Sequence, residues 1–409
     1  MAGGGPPVSV AELCAVAPGG ELFAQRCAAA GGAVRVAPSG EGRGRGLFAC
    51  RAFAEGDAVL VERPLLAMQH VESRARAVCC QRCFRFVGGV RKQLLHRLPG
   101  ASVPDPLPQG EGFGGAEPVA CRGGCGASFC GAECEAECWE AHHRALCRGA
   151  APAGPVRDAL DELESVAAET NDALLLAAQG VAAAALEAER LGGGGDALRR
   201  AWAPLGAGHK GLWWEVVACP SDVEAGAEED AFRSSMRDMA ETCAELLAAA
   251  MPSHAAAHPA LFTAEAVGAL VGLFELNNLD LVVASPVEDW FLAVDGMPEG
   301  PAKAAAEAVS APLLDALGED YGAPVEGTGF YPLQACMNHD CEPSCHAFKR
   351  DGDVTGDAVV LALRAVAAGE ELTISYVDET AGVRARREAL RDYGFTCRCE
   401  RCEREVAAA

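Results

Sequence analysis

Clustered cysteines are the feature that most restricts how this chain folds. Its 409 residues contain 20 cysteines, and nine of them lie between Cys79 and Cys147. Disulfide-bonded cysteines are typical of secreted proteins, whereas clustered cysteines in a reducing compartment more often bind metal. We expect no signal peptide, because no basic stretch precedes an apolar run and the first basic residue is Arg26. The sequence therefore predicts metal sites in an intracellular protein.

The first cysteine cluster consists of four closely spaced pairs. Two ligands separated by two or three residues can bind one tetrahedral zinc ion, at about 2.3 Å for a thiolate, without backbone strain. Eight ligands suffice for two closed sites, although any single cysteine can instead be a small buried apolar residue. The predicted ligands are Cys80, Cys83, Cys121, Cys125, Cys130, Cys134, His143 and Cys147. His142 competes with His143, and the leftover Cys79 and Cys138 are expected to be core or surface residues.

A separate group of three cysteines lies near the C-terminus. The group consists of Cys397, Cys399 and Cys402. It is incomplete, because a structural zinc ion takes four ligands. The predicted fourth ligand is Cys341, and Cys336 and Cys345 are its rivals. Zinc would then join the C-terminal end to the segment 338–345.

Charge and hydropathy limit the classes of function. A net charge of −24 argues against electrostatic binding of nucleic acid, and it fits either a basic partner or a solvated surface. Half of the residues are apolar, so extensive disorder is not expected. No run of about 18 apolar residues is present, so we expect no membrane-spanning segment.

The apolar pattern predicts strands at both ends of the chain and helices between them. Gly192 to Gly195 predicts a loop between helices, and Thr263 is a predicted helix N-cap. An Ala-rich helical insertion is expected within 287–326. The predicted strands are 34–36, 47–48, 59–61, 358–363 and 372–377, and the predicted helices are 156–191, 229–250, 264–276 and 383–391. This order indicates an α+β protein whose two ends meet around one site.

The motifs together resemble the SET and MYND methyltransferase family. The eight-ligand cluster is similar to a MYND zinc finger, with Phe129 before a cysteine pair and Trp139 before the last pair. FELNNLDLVVASPVEDW is further similar to the plant trithorax-related branch. Four segments resemble SET motifs: GEGRGRGLFA (40–49), GFYPLQACMNHDCEPSC (329–345), ELTISYVD (371–378) and LRDYGFTCRCERC (390–402, the post-SET zinc motif).

The resemblance implies an α+β SET domain of short β-sheets with an inserted MYND-type finger, a helical middle segment and a post-SET zinc motif. The implied units are an N-terminal segment (1–32), the first SET part (33–78), the finger with a long loop insert (79–148), a helical insert or support region (149–262), the second SET part (263–381), the post-SET motif (382–403) and a tail (404–409).

The resemblance also implies an S-adenosylmethionine-dependent protein-lysine N-methyltransferase with about three zinc ions per chain. Tyr376 would be the catalytic tyrosine, and Tyr393 and Phe395 would line the lysine channel. The implied partners are a Lys-rich protein segment such as a histone and a peptide ligand of the finger, in the nucleus or the cytoplasm. The implied cofactor-binding residues are Gly44, Arg45, Gly46, Asn277, with Asn278 as an alternative, Asn338 and His339.

Two other functions stay open at this level. A non-catalytic adapter would bind peptides through the finger and carry a degenerate SET domain. It would not need Tyr376, Asn338, His339 and the glycines Gly44 and Gly46 together. A zinc-finger ubiquitin ligase would leave the SET motifs unexplained. The helical middle segment has no recognisable chemistry, and it is expected to be a support or a wall of a substrate groove.

Overall fold

The computed structural model describes residues 8–15, 20–40, 42–208, 210–220, 222–347, 349–350 and 352–408. Most of its strands are short and contain β-branched or other apolar residues. They are β1 Val34–Pro38, β2 Arg45–Ala49, β3 Ala58–Glu62, β4 Leu66–Gln69, β5 Val119–Ala120, β6 Ser128–Phe129, β7 Asn278–Val283, β8 Val325–Phe330, β9 Asn338–His339, β10 Cys345–Ala347, β11 Ala358–Ala362 and β12 Glu371–Ile374.

Small sheets join segments that are distant in the sequence. A four-stranded sheet has the order β1-β2-β12-β9, and two three-stranded sheets have the orders β10-β11-β3 and β4-β8-β7. β12 pairs antiparallel with β2 and parallel with β9, which places Leu372 opposite Leu47 and Thr373 opposite Asn338. The two ends of the chain therefore meet in one sheet, and the α+β prediction is confirmed.

Helices fill the middle of the chain and flank its ends. Helical stretches of other types are Gly110–Phe113, Trp139–His143, Pro259–Leu261, Gly318–Gly322, Gln334–Cys336 and Leu390–Tyr393. The α-helices are α1 Val10–Cys14, α2 Gly20–Ala29, α3 Val71–Arg76, α4 Gly89–Arg97, α5 Ala132–Cys138, α6 Arg144–Leu146, α7 Pro155–Glu169, α8 Ala173–Arg190, α9 Gly194–Gly206, α10 Trp213–Val216, α11 Ala227–Ala250, α12 Pro252–Ala257, α13 Ala264–Asn277, α14 Pro286–Asp295, α15 Pro301–Leu317, α16 Val383–Ala389 and α17 Glu400–Ala407.

The central helix α13 is apolar on all sides and buried from Ala266 to Phe274, as expected of a core helix. Its predicted N-cap is confirmed, because the Thr263 hydroxyl accepts a hydrogen bond from the backbone N–H of Ala266 at 3.2 Å. α8 packs closely against it, since a Cβ on Gly180 would lie 3.0 Å from a methyl group of Leu270. This helical core supports one side of the sheets.

Two sequence predictions in this region were wrong in detail. The predicted helix 156–191 is interrupted at 170–172, where the side chain of Asn171 accepts a hydrogen bond from the backbone N–H of Ala173 and starts a new helix. The predicted loop 192–195 is only half a loop, because α9 begins at Gly194. A local side-chain hydrogen bond thus marks the first boundary, whereas the N-cap of α9 is Gly193, which has φ +75° and no side-chain bond.

The long insert within the finger packs against the predicted Ala-rich insertion. Trp290 on α14 is completely buried, and its indole N–H donates a hydrogen bond to the carbonyl oxygen of Pro108 at 2.7 Å. Val90 and Leu94 on α4 belong to the same apolar cluster. The two insertions thus share one core, whose described members include no residue of the four-stranded sheet. Among the described residues, no helix is long and apolar enough to cross a membrane.

Candidate active site and metal centres

A cavity of about 820 Å³ lies beside the four-stranded sheet. Protein ligand pockets commonly measure about 300–1,000 Å³, so it can hold a nucleoside-sized molecule. Its walls include Tyr376 and parts of the segments 42–45, 207–216, 276–277, 330–340 and 392–399. Part of the helical middle segment therefore lines this cavity.

Tyr376 follows β12 by two residues and lines the cavity. Its hydroxyl donates a hydrogen bond to the carbonyl oxygen of Met337 at 2.7 Å. Burial raises the pKa of the phenol, so the hydroxyl stays protonated at neutral pH. Its ring centroid lies 4.9 Å from that of Tyr393, 5.5 Å from that of His339 and 6.4 Å from that of Phe395. Such aromatic walls can hold an aliphatic chain or a cation.

His339 connects Tyr376 to the C-terminal cysteine group. Its Nδ1 accepts a hydrogen bond from the backbone N–H of Tyr376 at 3.1 Å. Burial lowers the pKa of the imidazole to about 4, so the neutral ring carries its proton on Nε2. Nε2 lies 3.2 Å from Sγ of Cys341 and donates to it. The ring therefore ties the backbone of Tyr376 to this sulfur.

Asn338 holds three strands together at the cavity wall. Its side-chain N–H groups donate to the carbonyl oxygen of Arg45 at 2.9 Å and to Oε1 of Glu371 at 2.8 Å. These bonds fasten β9 to β2 and β12. Since both side-chain donors are used within the protein, a bound ligand would contact the other atoms of Asn338.

The glycine motif surrounds an arginine that lines the cavity. Gly44 has φ +68°, and its carbonyl oxygen accepts a hydrogen bond from the backbone N–H of Ser39 in a turn. A Cβ on Gly46 would lie 2.5 Å from Oε1 of Glu371. Arg45 lines the cavity, whereas Gly44 and Gly46 do not. The glycines allow the turn and the close packing of Glu371, and their predicted contact with a cofactor stays a prediction.

Cationic side chains also line the cavity. Arg43 donates a hydrogen bond to the carbonyl oxygen of His339 at 3.1 Å. Arg45 donates from Nη2 to the carbonyl oxygen of Ala207, whereas its buried Nη1 has no partner in the described part of the chain. Burial and the nearby Arg45 lower the pKa of Lys210. A buried donor without an acceptor indicates a missing partner, and a carboxylate-bearing cofactor fits this need.

The two neighbouring asparagines, Asn277 and Asn278, differ in their position relative to the cavity. Asn277 lines the cavity, and its side-chain N–H groups donate to the carbonyl oxygens of Leu273 at 2.8 Å and Gly208 at 3.3 Å. Asn278 begins β7 and does not line the cavity. Of the two alternatives, Asn277 is therefore in position to face a ligand.

Sequence reasoning missed several cavity residues. Arg43 lies within the glycine motif (40–49), between Gly42 and Gly44, and this position was the available signal for it. Lys210 and Glu215 follow α9 in a segment without a recognisable motif, and Asp392 precedes the predicted channel residue Tyr393. Folding alone brings these charges to the cavity.

Two groups of potential metal ligands lie in the first cysteine cluster, and each takes alternate pairs along the chain. Within each of the groups in this structure, all ligand atoms lie within 4.8 Å of one another. Cys79 and Cys138 are buried outside them, as predicted. The first group is Cys80, Cys83, Cys130 and Cys134, and the second is Cys121, Cys125, His143 and Cys147.

The structure favours His143 over His142 as the nitrogen ligand. Nε2 of His143 lies 3.3 Å from Sγ of Cys121 and 3.4 Å from Sγ of Cys125. Nε2 of His142 lies 3.8 Å from Sγ of Cys138, which belongs to neither group. The Nε2 atom of His143 thus faces the sulfurs of a ligand group, whereas the Nε2 atom of the adjacent His142 faces Cys138.

The third group unites the C-terminal cysteines with Cys341, and it contains neither of the rival ligands. Sγ of Cys341 lies 3.9 Å from that of Cys397 and 3.5 Å from that of Cys402. Cys336 donates to the carbonyl oxygen of Pro332 instead. The full group is Cys341, Cys397, Cys399 and Cys402.

The donor sets and spacings fit zinc. Sulfurs bound to one tetrahedral zinc ion at about 2.3 Å lie about 3.8 Å apart. The measured separations are 3.9 and 3.5 Å in the third group, 3.5 Å between Cys83 and Cys130, and 3.7 Å between Cys121 and Cys147. The three groups could therefore hold three zinc ions, each in a closed four-ligand site.

Comparisons with known proteins agree with this geometry. The SET domain family model matches residues 44–377. The chain is 36% identical to histone-lysine N-methyltransferase ATXR2 of Arabidopsis thaliana over 88% of both chains. It is 25% identical to protein-lysine N-trimethyltransferase SMYD5 of Homo sapiens, over 89% of this chain and 85% of that protein. A 79-residue stretch, 19% of this chain and 17% of the relative, is 42% identical to histone-lysine N-methyltransferase SMYD3 of Mus musculus. The chain therefore belongs to the SET domain family, among its protein-lysine methyltransferases.

Proposed function

We propose that this protein transfers a methyl group from S-adenosylmethionine to the side-chain amine of a lysine in a histone. The observation that carries the proposal is the position of Tyr376, whose protonated hydroxyl and aromatic neighbours border the cavity. The relatives named histone-lysine methyltransferases support the choice of a histone. A nuclear location follows from this substrate.

The cofactor site is proposed at the cationic end of the cavity. Bound S-adenosylmethionine would supply an electrophilic methyl group on a sulfonium. Arg45 has an unpartnered Nη1 for the carboxylate, and Lys210 is nearby. Asn277, Asn338 and His339 line the same cavity, while Gly44 and Gly46 would act through the turn and the strand that present Arg45.

The lysine channel is proposed between Tyr376, Tyr393 and Phe395. Methyl transfer requires the neutral amine in line with the methyl group, so orientation and exclusion of water are the main tasks of the protein. The Tyr376 hydroxyl would orient the amine. Tyr393 and Phe395 are each 38% exposed, and an incoming lysine stem would cover them.

The C-terminal cysteine group is proposed as a post-SET zinc site. Four thiolates leave no open position on zinc, so its task is to position residues. It would hold the segment of Tyr393 and Phe395 over the cavity. Through the hydrogen bonds of His339 to Cys341 and to Tyr376, it would also hold the catalytic tyrosine.

The alternating ligand groups of the first cluster support a MYND-type finger with two zinc ions. A second cavity of about 360 Å³ lies between this finger and the helices α7 and α8. It is a suitable place for the proposed peptide ligand, because Leu160, Leu163 and Leu175 supply apolar walls. Peptide binding there would add to the enzyme activity and would not replace it.

Acidic residues support a basic substrate. Asp340 and Asp392 line the cavity, and the chain carries a net charge of −24. Such a field attracts segments rich in Lys and Arg. A histone tail is rich in these residues. Contacts between individual cavity residues and the tail would then determine which lysine is methylated.

The test is methyl transfer to purified histones, read by mass spectrometry. The wild type is expected to methylate lysine, and Tyr376→Phe is expected to reduce the rate about 100-fold, because it loses the group that orients the amine. Calorimetry with S-adenosylmethionine separates the enzyme from a non-catalytic adapter. Cofactor binding without transfer to any histone would overturn the proposed substrate, and absence of cofactor binding would overturn the enzyme.

A further inference from the structure

The guanidinium of Arg386 on α16 is completely buried beside the C-terminal cysteine group. Its side chain is 0% exposed. Nε lies 3.3 Å from Sγ of Cys341, and Nη2 lies 3.6 Å from Sγ of Cys402. Nη1 donates to the carbonyl oxygen of Ala381, and Nη2 also donates to Oε2 of Glu405 at 2.9 Å. Every nitrogen of the guanidinium therefore donates a hydrogen bond, and two of them donate to a sulfur atom.

This burial requires a compensating negative charge. Glu405 compensates only in part, because its side chain is 34% exposed and its other oxygen accepts a hydrogen bond from Arg401 at 2.7 Å. Four thiolates and one Zn²⁺ ion together carry a charge of about −2. The metal site proposed above would supply the missing negative charge, and the guanidinium would in turn reduce the repulsion among the thiolates.

The exposure of the neighbouring arginines supports a specific role for this residue. Arg391 lies 70% exposed and pairs with Glu388 at 2.7 Å, and Arg387 is also partly exposed. Arg386 alone among these three turns inward to the sulfurs. The basic segment 383–391 therefore contains both solvent-exposed arginines and one buried cation.

We propose that Arg386 is a positioning residue for methyl transfer, acting by neutralising and orienting the thiolates of the C-terminal zinc site. This inference rests on the proposed function of that site. Sγ of Cys341 accepts hydrogen bonds from both Arg386 and His339, and His339 holds the backbone of Tyr376. Loss of the guanidinium therefore loosens one zinc ion and, through Cys341, the catalytic tyrosine.

The experiment measures the rate at which the full-length protein transfers zinc to a chromogenic chelator. The variants are Arg386→Gln and Arg386→Lys, with Arg391→Gln as the matched control on the surface. In Arg386→Gln, one of about three zinc ions is expected to leave about 10–100-fold faster, the range typical of lost contacts around metal ligands. The other two ions leave at the wild-type rate. Arg386→Lys, which keeps the charge but loses the fork of donors, is expected to be intermediate.

A second measurement separates positioning from a general effect on folding. Excess free zinc is expected to restore methyl transfer by Arg386→Gln, whereas a variant with damaged packing would not respond to zinc. Wild-type release rates in both Arg386 variants would overturn the inference, and so would equal acceleration of all three ions in Arg386→Lys. A wild-type protein that binds only two zinc ions would instead overturn the proposed C-terminal zinc site itself.

Discussion

Cys399→Ser removes one sulfur ligand from the proposed C-terminal zinc site and changes no other residue. The surrounding apolar cluster is small, and Leu390 is its one fully buried residue that is not a cysteine, within the described residues. Burial of one leucine contributes about 1.5–3 kcal/mol. Ordering a backbone residue costs about 1–2 kcal/mol, so the segment 390–402 costs well over 10 kcal/mol. Structural zinc sites contribute about 10–16 kcal/mol, which is enough to offset much of this cost.

We therefore expect this variant to bind two zinc ions and to lose the order of the segment that carries Tyr393 and Phe395. Hydrogen exchange measured by mass spectrometry should rise sharply in 390–402 and stay at wild-type levels in the buried helices α8 and α13. Methyl transfer should fall at least 100-fold, because the channel loses two of its walls. Cys50→Ser, at an exposed cysteine outside the ligand groups, is the control and should keep three zinc ions. Wild-type activity and protection in a two-zinc variant would refute this reasoning.

Two further predictions concern histidines. His143→Ala is expected to lose one zinc ion and His142→Ala none, because only His143 contacts the sulfurs of a ligand group; metal analysis of both variants checks this, and equal losses would contradict it. Nδ1 of His70 lies 2.9 Å from the carboxylate of Asp172, and this hydrogen bond and charge raise the pKa of the imidazole above its ordinary value of 6.5. The pair therefore stabilises the protein fully below pH 6.5 and less as the pH rises through the raised pKa. Urea unfolding of wild type and His70→Gln should differ more at pH 5.5 than at pH 8.5, and a difference independent of pH would contradict the assignment.

Several features of the site could be predicted from short stretches of sequence. The pairs Cys80/Cys83 and Cys130/Cys134 were predictable because neighbouring ligands reach one ion through local backbone geometry. The N-cap Thr263 was predictable for the same reason, since its bond spans three residues. Interactions of this kind need no knowledge of the path of the chain.

Lys210 and Arg386 show where local reasoning ends. Neither belongs to a motif, and each becomes informative only through its surroundings: Lys210 through the cavity wall, and Arg386 through the sulfurs of Cys341 and Cys402. The turn at Gly44 and the closeness of Glu371 to Gly46 likewise became visible only in the folded chain.

The sequence by itself determined the family motifs, the number of potential zinc ligands and the α+β order of elements. Only the tertiary structure decided which ligand pairs share a site, that Cys341 joins the C-terminal group, and that Asn277 and not Asn278 lines the cavity. The physical reason is distance along the chain. Local spacing limits which atoms can reach one ion, but the pairing of β2, β9 and β12 and the burial of the helical core decide which distant segments meet.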